Sequence, residues 1–216
     1  MFKKETYIAR REQLRKDVGH GLIVIAGNHE APCNYTDNTY WFRQDSTFLY
    51  FFGLRREDLV GVLDCDSGKD YLFANDLDID DIIWTGPMPS VKELAASVGV
   101  ENSGDLKALQ TLCTKTIGEA RKIHYLPPYR ADITRQMSVL LGLKYDAVSR
   151  YASMDLIKAC VKQRSIKSDE EIAEIEKAIA TAYNMHVGAM KLAMPGRYEY
   201  ELAGFMRARP GKATAL

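Results

Sequence analysis

NYTDNTYWFRQDSTFLYFFG, residues 34–53, is the stretch on which the reading of this chain turns. Its opening, Asn34 to Asn38, carries short polar side chains that can bond their own backbone, the composition of a turn. Its end, Phe48 to Phe52, is an unbroken apolar and aromatic run closed by Gly53, and it predicts a buried strand. Between them, Arg43, Gln44 and Asp45 put charged and polar groups at the mouth of that strand. A charge removed from water needs a partner, so Arg43 and Asp45 are expected to pair with each other or with nearby backbone. Such a clasp would fix a long loop to a sheet.

Upstream, Thr6 to Val18 reads as a charged amphipathic helix with Tyr7, Ile8, Leu14 and Val18 on its sparse apolar side. Gly19-His20-Gly21 breaks it, Leu22 to Ala26 reads as a first strand, and Gly27 to Glu30 opens a loop. Downstream, Leu59–Leu63 and Tyr71–Phe73 read as strands joined by the turn composition of Asp64 to Gly68. The acidic run Asp76 to Asp81 lacks the ligand spacing and bend glycine of a calcium loop and reads as a solvated loop.

Ser90 with Glu93 is a capping box that opens a short helix. Gly104 to Glu119 reads as helix, Ile123 to Leu126 as a strand ended by Pro127-Pro128, and Asp132–Leu141 and Ser153–Val161 as further helices. The expected class is therefore α/β, a mixed β-sheet flanked by helices. His20 and His29 fall in turns without evident chemistry, and His124 reads as structural.

The character changes at Lys162 to Lys167, a polar connector expected to divide a domain of residues 1–161 from a segment of residues 168–216. Ser168 to Glu171 is a second capping box, with acids where they suit the helix dipole. Ile172, Ile175, Ile179, Ala182, His186, Ala189 and Ala193 then recur at three- and four-residue steps down a long helix that Pro195-Gly196 stops. Met190 stands one turn after His186, so the helix offers no pair of histidines for a metal.

Composition narrows the function. Lys+Arg and Asp+Glu both total 29, and the resulting zero net charge carries no footprint for nucleic acid. The charged N-terminus lacks a signal-peptide core, and no apolar run reaches the ~20 residues of a membrane span, so a cytoplasmic protein with no membrane partner is expected. Cys33, Cys65, Cys113 and Cys160 form no Cys-x-x-Cys pair and are expected as free thiols. No nucleophile–base motif, phosphate loop or cofactor loop supports an independent hydrolase or oxidoreductase.

Tyr40 through Gly53 resembles the central motif of the creatinase/aminopeptidase P N-terminal domain, which precedes the metallopeptidase domain in Xaa-Pro aminopeptidases and prolidases. Ile83-Trp84-Thr85-Gly86 is similar to that family's Trp-x-Gly turn. Arg164 to Ile172 resembles the junction that opens the catalytic domain, and Pro195-Gly196 followed by Glu199 its next turn. The resemblance runs from near the N-terminus to about Phe205.

This resemblance implies a ribonuclease H-like N-terminal fold and, over residues 168–216, the truncated start of a pita-bread peptidase domain. It implies that the whole enzyme releases an N-terminal residue preceding proline. Two divalent ions, manganese by expectation, would be held there by Asp, His and Glu ligands beyond Pro195-Gly196, leaving this chain with no catalytic or metal-ligating residue. The domain would roof the active site of a homo-oligomer, a dimer or tetramer acting on proline-containing peptides. By position, Asp37 matches an acid that reaches the catalytic cleft and Trp84 an aromatic that lines the substrate pocket. Asp37 equally suits a turn-capping side chain, and Trp84 a core aromatic. Tyr40, Arg43, Gln44 and Asp45 form the structural motif. Alternatives are a prolidase N-terminal domain and a metal-free creatinase-like protein-binding module, as in the large subunit of the histone chaperone FACT.

Overall fold

The computed structural model describes residues 2–208, the side chain of Asp81 excepted. The portion of the expected peptidase segment at 209–216 lies outside the described residues. The chain forms two compact units, Met1–Ser165 and Ile166–Leu216.

The first unit is a five-stranded mixed sheet between two layers of helix. The strands are β1 (Leu22–Ala26), β4 (Val60–Asp64), β5 (Asp70–Phe73), β6 (Asn102–Gly104) and β7 (Ile123–Tyr125), in the order β6-β5-β4-β1-β7. β4 runs antiparallel to both β1 and β5, while β7 is parallel to β1 and β6 parallel to β5. A separate hairpin joins β2 (Pro32–Tyr35) to β3 (Asn38–Thr39).

Alternation along β1 divides the core, because successive side chains of a strand point to opposite faces. Ile23 and Ile25 face a cluster that includes Leu14 and Val18 of α1 (Lys4–Val18), Phe48 and Phe52 of α2 (Ser46–Phe52), Ala95 of α4 (Val91–Ser97) and Leu156 of α7 (Met154–Ser165). Leu22 and Val24 face the other cluster, with Leu109 of α5 (Leu106–Gly118), Ile133 and Met137 of α6 (Ala131–Leu141), and Val148 of a 3₁₀ helix at Tyr145–Tyr151. The expected mixed sheet flanked by helices is the observed architecture.

Arg11 of α1 is fully buried in the first cluster. It donates to the Asp70 carboxylate at 2.8 Å and to the carbonyls of Phe51, Val98 and Gly99 at 3.0, 2.8 and 3.1 Å. A buried guanidinium is tolerable only when its donors are satisfied in this way.

The central stretch departs from expectation: Ser46 to Phe52 is helix α2, not a strand. The Asp45 carboxylate accepts the backbone N–H groups of Thr47 at 2.8 Å and Phe48 at 2.9 Å, an N-cap that starts the helix. Gly53, left-handed at φ 68°, ends it. Phe48, Phe51 and Phe52 are buried at three- and four-residue spacing, and the rings of Phe48 and Phe52 stack at 5.0 Å. The Phe52 ring occupies the space that a Cβ on Gly61 of β4 would need, 2.1 Å away, so helix and sheet meet at a glycine.

Other departures are smaller. The expected acidic loop gives way after Asp78 to a short helix, α3 (Ile79–Thr85), while Asp76 accepts the Val91 N–H at 2.7 Å. Gly104 belongs to β6, so the helix expected from that residue begins at Leu106. Lys162 to Ser165 of the expected connector continue α7.

The second unit holds α8 (Asp169–Leu192) and α9 (Glu199–Ala208), joined at a turn containing Gly196. The Ser168–Glu171 capping box forms as the sequence predicts. Gly188 of α8 admits the Phe205 ring of α9, which a Cβ would meet at 2.5 Å.

Candidate functional site

The parallel pair β1 and β7 ends at one edge of the sheet, and the loops leaving it build two adjoining clefts. In open α/β sheets the carboxyl ends of parallel strands are where loops are free to form a ligand site. Three segments take part: Gly27 to Ala31 after β1, Tyr40 to Asp45 before α2, and Leu126 to Arg130 after β7. Pro127 and Pro128 carry no N–H and so end the pairing of β7.

Gln44, 4% exposed, ties these segments together. Its Oε1 accepts the N–H of Asn28 at 2.6 Å and that of Asp45 at 2.8 Å, and its Nε2 donates to the Arg56 carbonyl at 2.7 Å. Gly27 makes room for it, since a Cβ there would lie 2.9 Å from the Gln44 amide and 2.7 Å from the Leu59 carbonyl. The Asn28 side chain donates to the Arg43 carbonyl at 2.8 Å and to the Tyr129 hydroxyl at 3.2 Å, binding the first and third loops to the second.

The larger cleft encloses about 540 Å³ and is mainly apolar, walled by Val24, Ile25, Ile133, Met137 and Ile157. Asp45, Arg130 and Arg164 are its charged members, and Arg164 donates to the Thr47 hydroxyl at 3.0 Å. Burial pushes the Cys160 thiol up to about 12, so this cysteine is an apolar wall and not a nucleophile. The smaller cleft, about 410 Å³, shares Asn28, Tyr129 and Arg130 and adds His29, Tyr40, Trp41 and Arg43. Both volumes fall in the ~300–1,000 Å³ range of small-ligand sites.

Ion pairs stand behind the clefts. Arg130 grips Asp132 bidentately, with Nη2 to Oδ2 at 2.6 Å and Nε to Oδ1 at 3.1 Å. Burial pushes the Asp132 carboxyl up, but the hydrogen bonds from Arg130 and the Ile133 N–H outweigh it and hold the group below the usual carboxylate range. His29 Nδ1 bonds the Asp58 carboxylate, and this bond raises the imidazole against the opposing effect of burial.

The expected motif residues separate into two groups. Gln44 and Asp45 are structural: one knits the loops, the other caps α2. Arg43 does not pair with Asp45; the residue is exposed and its carbonyl makes the loop contact. The cap explains this, because the Asp45 carboxylate is already engaged by backbone. Tyr40 is 63% exposed on the wall of the smaller cleft. Asp37 is exposed in the turn between β2 and β3, and Trp84 is 88% exposed on α3; neither lines the two clefts. Sequence reading missed Asn28, Tyr129 and Arg130. The available signal was position, since each lies in a loop that directly follows a strand of the parallel pair.

Among the described residues, no three His, Cys, Asp or Glu side chains converge as a group that could hold a metal ion. These residues therefore do not fit the two ions that the family resemblance implies for the whole enzyme. No helix among the described residues is long and apolar enough to cross a membrane.

Similar proteins agree on the kind of domain. The chain is 26% identical over 196 residues to the Xaa-Pro dipeptidase of Homo sapiens, covering 88% of this chain and 39% of that protein. It is 27% identical over 197 residues to a probable Xaa-Pro aminopeptidase, pepP, of Aspergillus clavatus, covering 91% of this chain and 41% of that one. The solved aminopeptidase P of Escherichia coli has the same fold, with a TM-score of 0.81 at 22% identity over 99% of this chain and 50% of its own. The chain thus spans half or less of the length of these proteins. Residues 7–124, more than half of the 216, match the family model for the aminopeptidase P, N-terminal domain, and the chain belongs to that family.

Proposed function

We propose that this chain serves as the non-catalytic N-terminal domain of a cytoplasmic Xaa-Pro peptidase, roofing an active site that the rest of such an enzyme supplies. One observation carries the reading: loops built on the family's central motif line clefts at the carboxyl ends of β1 and β7. In this reading two divalent ions, manganese by preference, sit in the catalytic portion and supply a metal-activated water. Asp37 and Trp84, both exposed, extend from the roof toward the peptide. The enzyme is a homo-oligomer, and neither nucleic acid nor membrane is a partner.

The purified chain should show no turnover of Xaa-Pro peptides with added manganese or cobalt. Metal-dependent hydrolysis above a contaminant control would overturn the reading. In an enzyme carrying this domain, Asp37→Ala and Trp84→Ala should each lower turnover, and unchanged kinetics in both would remove the roofing role. The similar proteins include both a dipeptidase and an aminopeptidase by name. Comparing an Xaa-Pro dipeptide with a longer Xaa-Pro peptide as substrates decides between the two.

A further inference from the structure

His124 of β7 is fully buried, on the face of the sheet that it shares with its pairing partner, Ile23 of β1. Its Nδ1 bonds the Ser153 hydroxyl at 2.6 Å. Ser153, itself buried, donates its N–H to the Tyr125 carbonyl at 3.0 Å, and its hydroxyl accepts the Leu156 N–H at 3.3 Å. The pair thereby joins β7 to the start of α7. The other ring nitrogen, Nε2, is also buried and has no hydrogen-bond partner among the described residues. The turn before β1 closes over that side of the ring: a Cβ on Gly21 would lie 3.3 Å from Nε2. The roofing role makes no use of this imidazole.

The site is built for the neutral ring. In an imidazolium both nitrogens donate, and the Ser153 hydroxyl can accept from only one of them. The surroundings do not offset the added charge. His20, its ring edge-on to His124 at 5.4 Å, is a second imidazole that gains charge over the same range. Among the acids nearby, Asp155 of α7 is engaged by Lys122 at 3.0 Å, Asp17 of α1 by Lys162 at 2.7 Å, and Asp66 by Arg121 at 2.8 Å. Lys158 of α7 adds a positive charge beside His20 and Asp155, and β1 brings only apolar side chains. Burial first, then Lys122 and His20, holds the ring below its usual range, against the weaker pulls of Asp155 and the His20 backbone.

We propose that His124 is an acid-sensitive latch: when its ring takes up a proton, β7 parts from β1 and the loop from Leu126 to Arg130 is released. β7 borders the sheet and pairs with β1 over three residues, so its departure breaks few ladder bonds and leaves β1 on β4. The released loop supplies a wall of both clefts, which are therefore complete at neutral pH and open in acid. The open form takes its proton at the ordinary imidazole value, about 6.5, and the closed form resists it. Opening accordingly grows as pH falls below about 6.5 and is unaffected above it.

Amide hydrogen exchange of the whole chain, followed by mass spectrometry at pH 7.5 and 5.5 and corrected for the intrinsic rate, tests this. Segment 119–131 should lose about tenfold in protection at the lower pH, the limit for one imidazole one unit below its open-state value. Segment 59–73, which holds β4 and β5, should keep its protection. In His124→Gln, whose amide oxygen can accept from Ser153 but does not titrate, the loss from 119–131 should vanish. Equal protection of 119–131 at both pH values overturns the proposal. So does an equal loss in 59–73, which would mean global unfolding, or a loss that survives His124→Gln. Imidazole NMR on the unaltered chain decides the matter without a variant. The closed form should keep His124 neutral at pH 5.5, and a ring half-protonated near pH 6.5 while 119–131 stays protected would also overturn the latch.

Discussion

The side chain of Gln44 accepts the backbone N–H of Asn28 at 2.6 Å, so a residue of the loop before α2 holds the loop that leaves β1. The same amide also satisfies Asp45 N–H and the Arg56 carbonyl. Gln44→Ala would leave these three backbone groups without partners and should cost roughly 2–4 kcal/mol of stability. Denaturant unfolding of the two proteins measures this, and a change below about 1 kcal/mol would show that water replaces the amide at little cost.

Asp45 should behave as a cap and not as half of an ion pair. Asp45→Ala should lose about 1 kcal/mol, the usual worth of an N-cap, whereas Asp45→Asn should lose little because an amide oxygen also accepts from N–H. Arg43→Gln should leave stability within ~0.5 kcal/mol, as for an ordinary surface change. Thermal unfolding of the three variants checks the pattern.

Gly53 combines a left-handed backbone with a crowded neighbour: a Cβ there would lie 2.2 Å from the Tyr7 ring. Gly53→Ala therefore meets conformational strain of ~1–2 kcal/mol and overpacking of ~1–3 kcal/mol together. A melting temperature close to that of the parent would mean that Tyr7 can move aside.

His29 gives the chain a pH dependence of known sign. Its bond to Asp58 raises the folded-state value above that of the unfolded chain, about 6.5. The stabilisation is therefore complete below about pH 6.5 and is lost as pH rises through the folded value. Asp58→Asn should lower the His29 value and flatten the stability profile between about pH 6 and 8. Imidazole titration by NMR reads the first effect and denaturant midpoints across that range read the second.

The stripe on α8 should drive self-association. Ile172, Ile175 and Ile179 are 46%, 42% and 55% exposed, and the helix has no buried residue. Light scattering on the chain and on a version ending at Ser165, the last residue of α7, compares them directly. Loss of a dimer on truncation supports pairing through α8; an unchanged dimer places the interface on the first unit, and two monomers dispose of self-association.

Much of the architecture was legible from residues 4–165 because most strands are short apolar runs between turn residues, and most helices carry a cap or a stripe. The Ser90–Glu93 and Ser168–Glu171 capping boxes both form. Phe48 to Phe52 failed because a run that is apolar at every position has no period to read. The decisive signal there is the flanking pair, Asp45 as cap and Gly53 as stop, which beside an apolar run also suit a charge at a strand mouth and a strand end. β6 escaped because Asn102-Ser103-Gly104 has no apolar residue; only pairing with β5 makes it a strand. The site was legible where it lay within one contiguous motif. Its other members, Asn28 and Tyr129, stand 101 residues apart, and only the parallel pairing of β1 with β7 brings them together.

That sheet also determines how the molecule behaves in crowded solution. Its two border strands, β6 and β7, are three residues long, whereas the interior strands β1 and β4 have five each. One border is followed at once by Asp105 turning into α5, the other by Leu126 and then two prolines. A foreign strand would find too few free N–H and C=O groups on either side to register against, so the apolar runs at the centre cannot seed cross-β stacking while the sheet is intact. Cross-β association through this five-stranded sheet should accordingly track its unfolding.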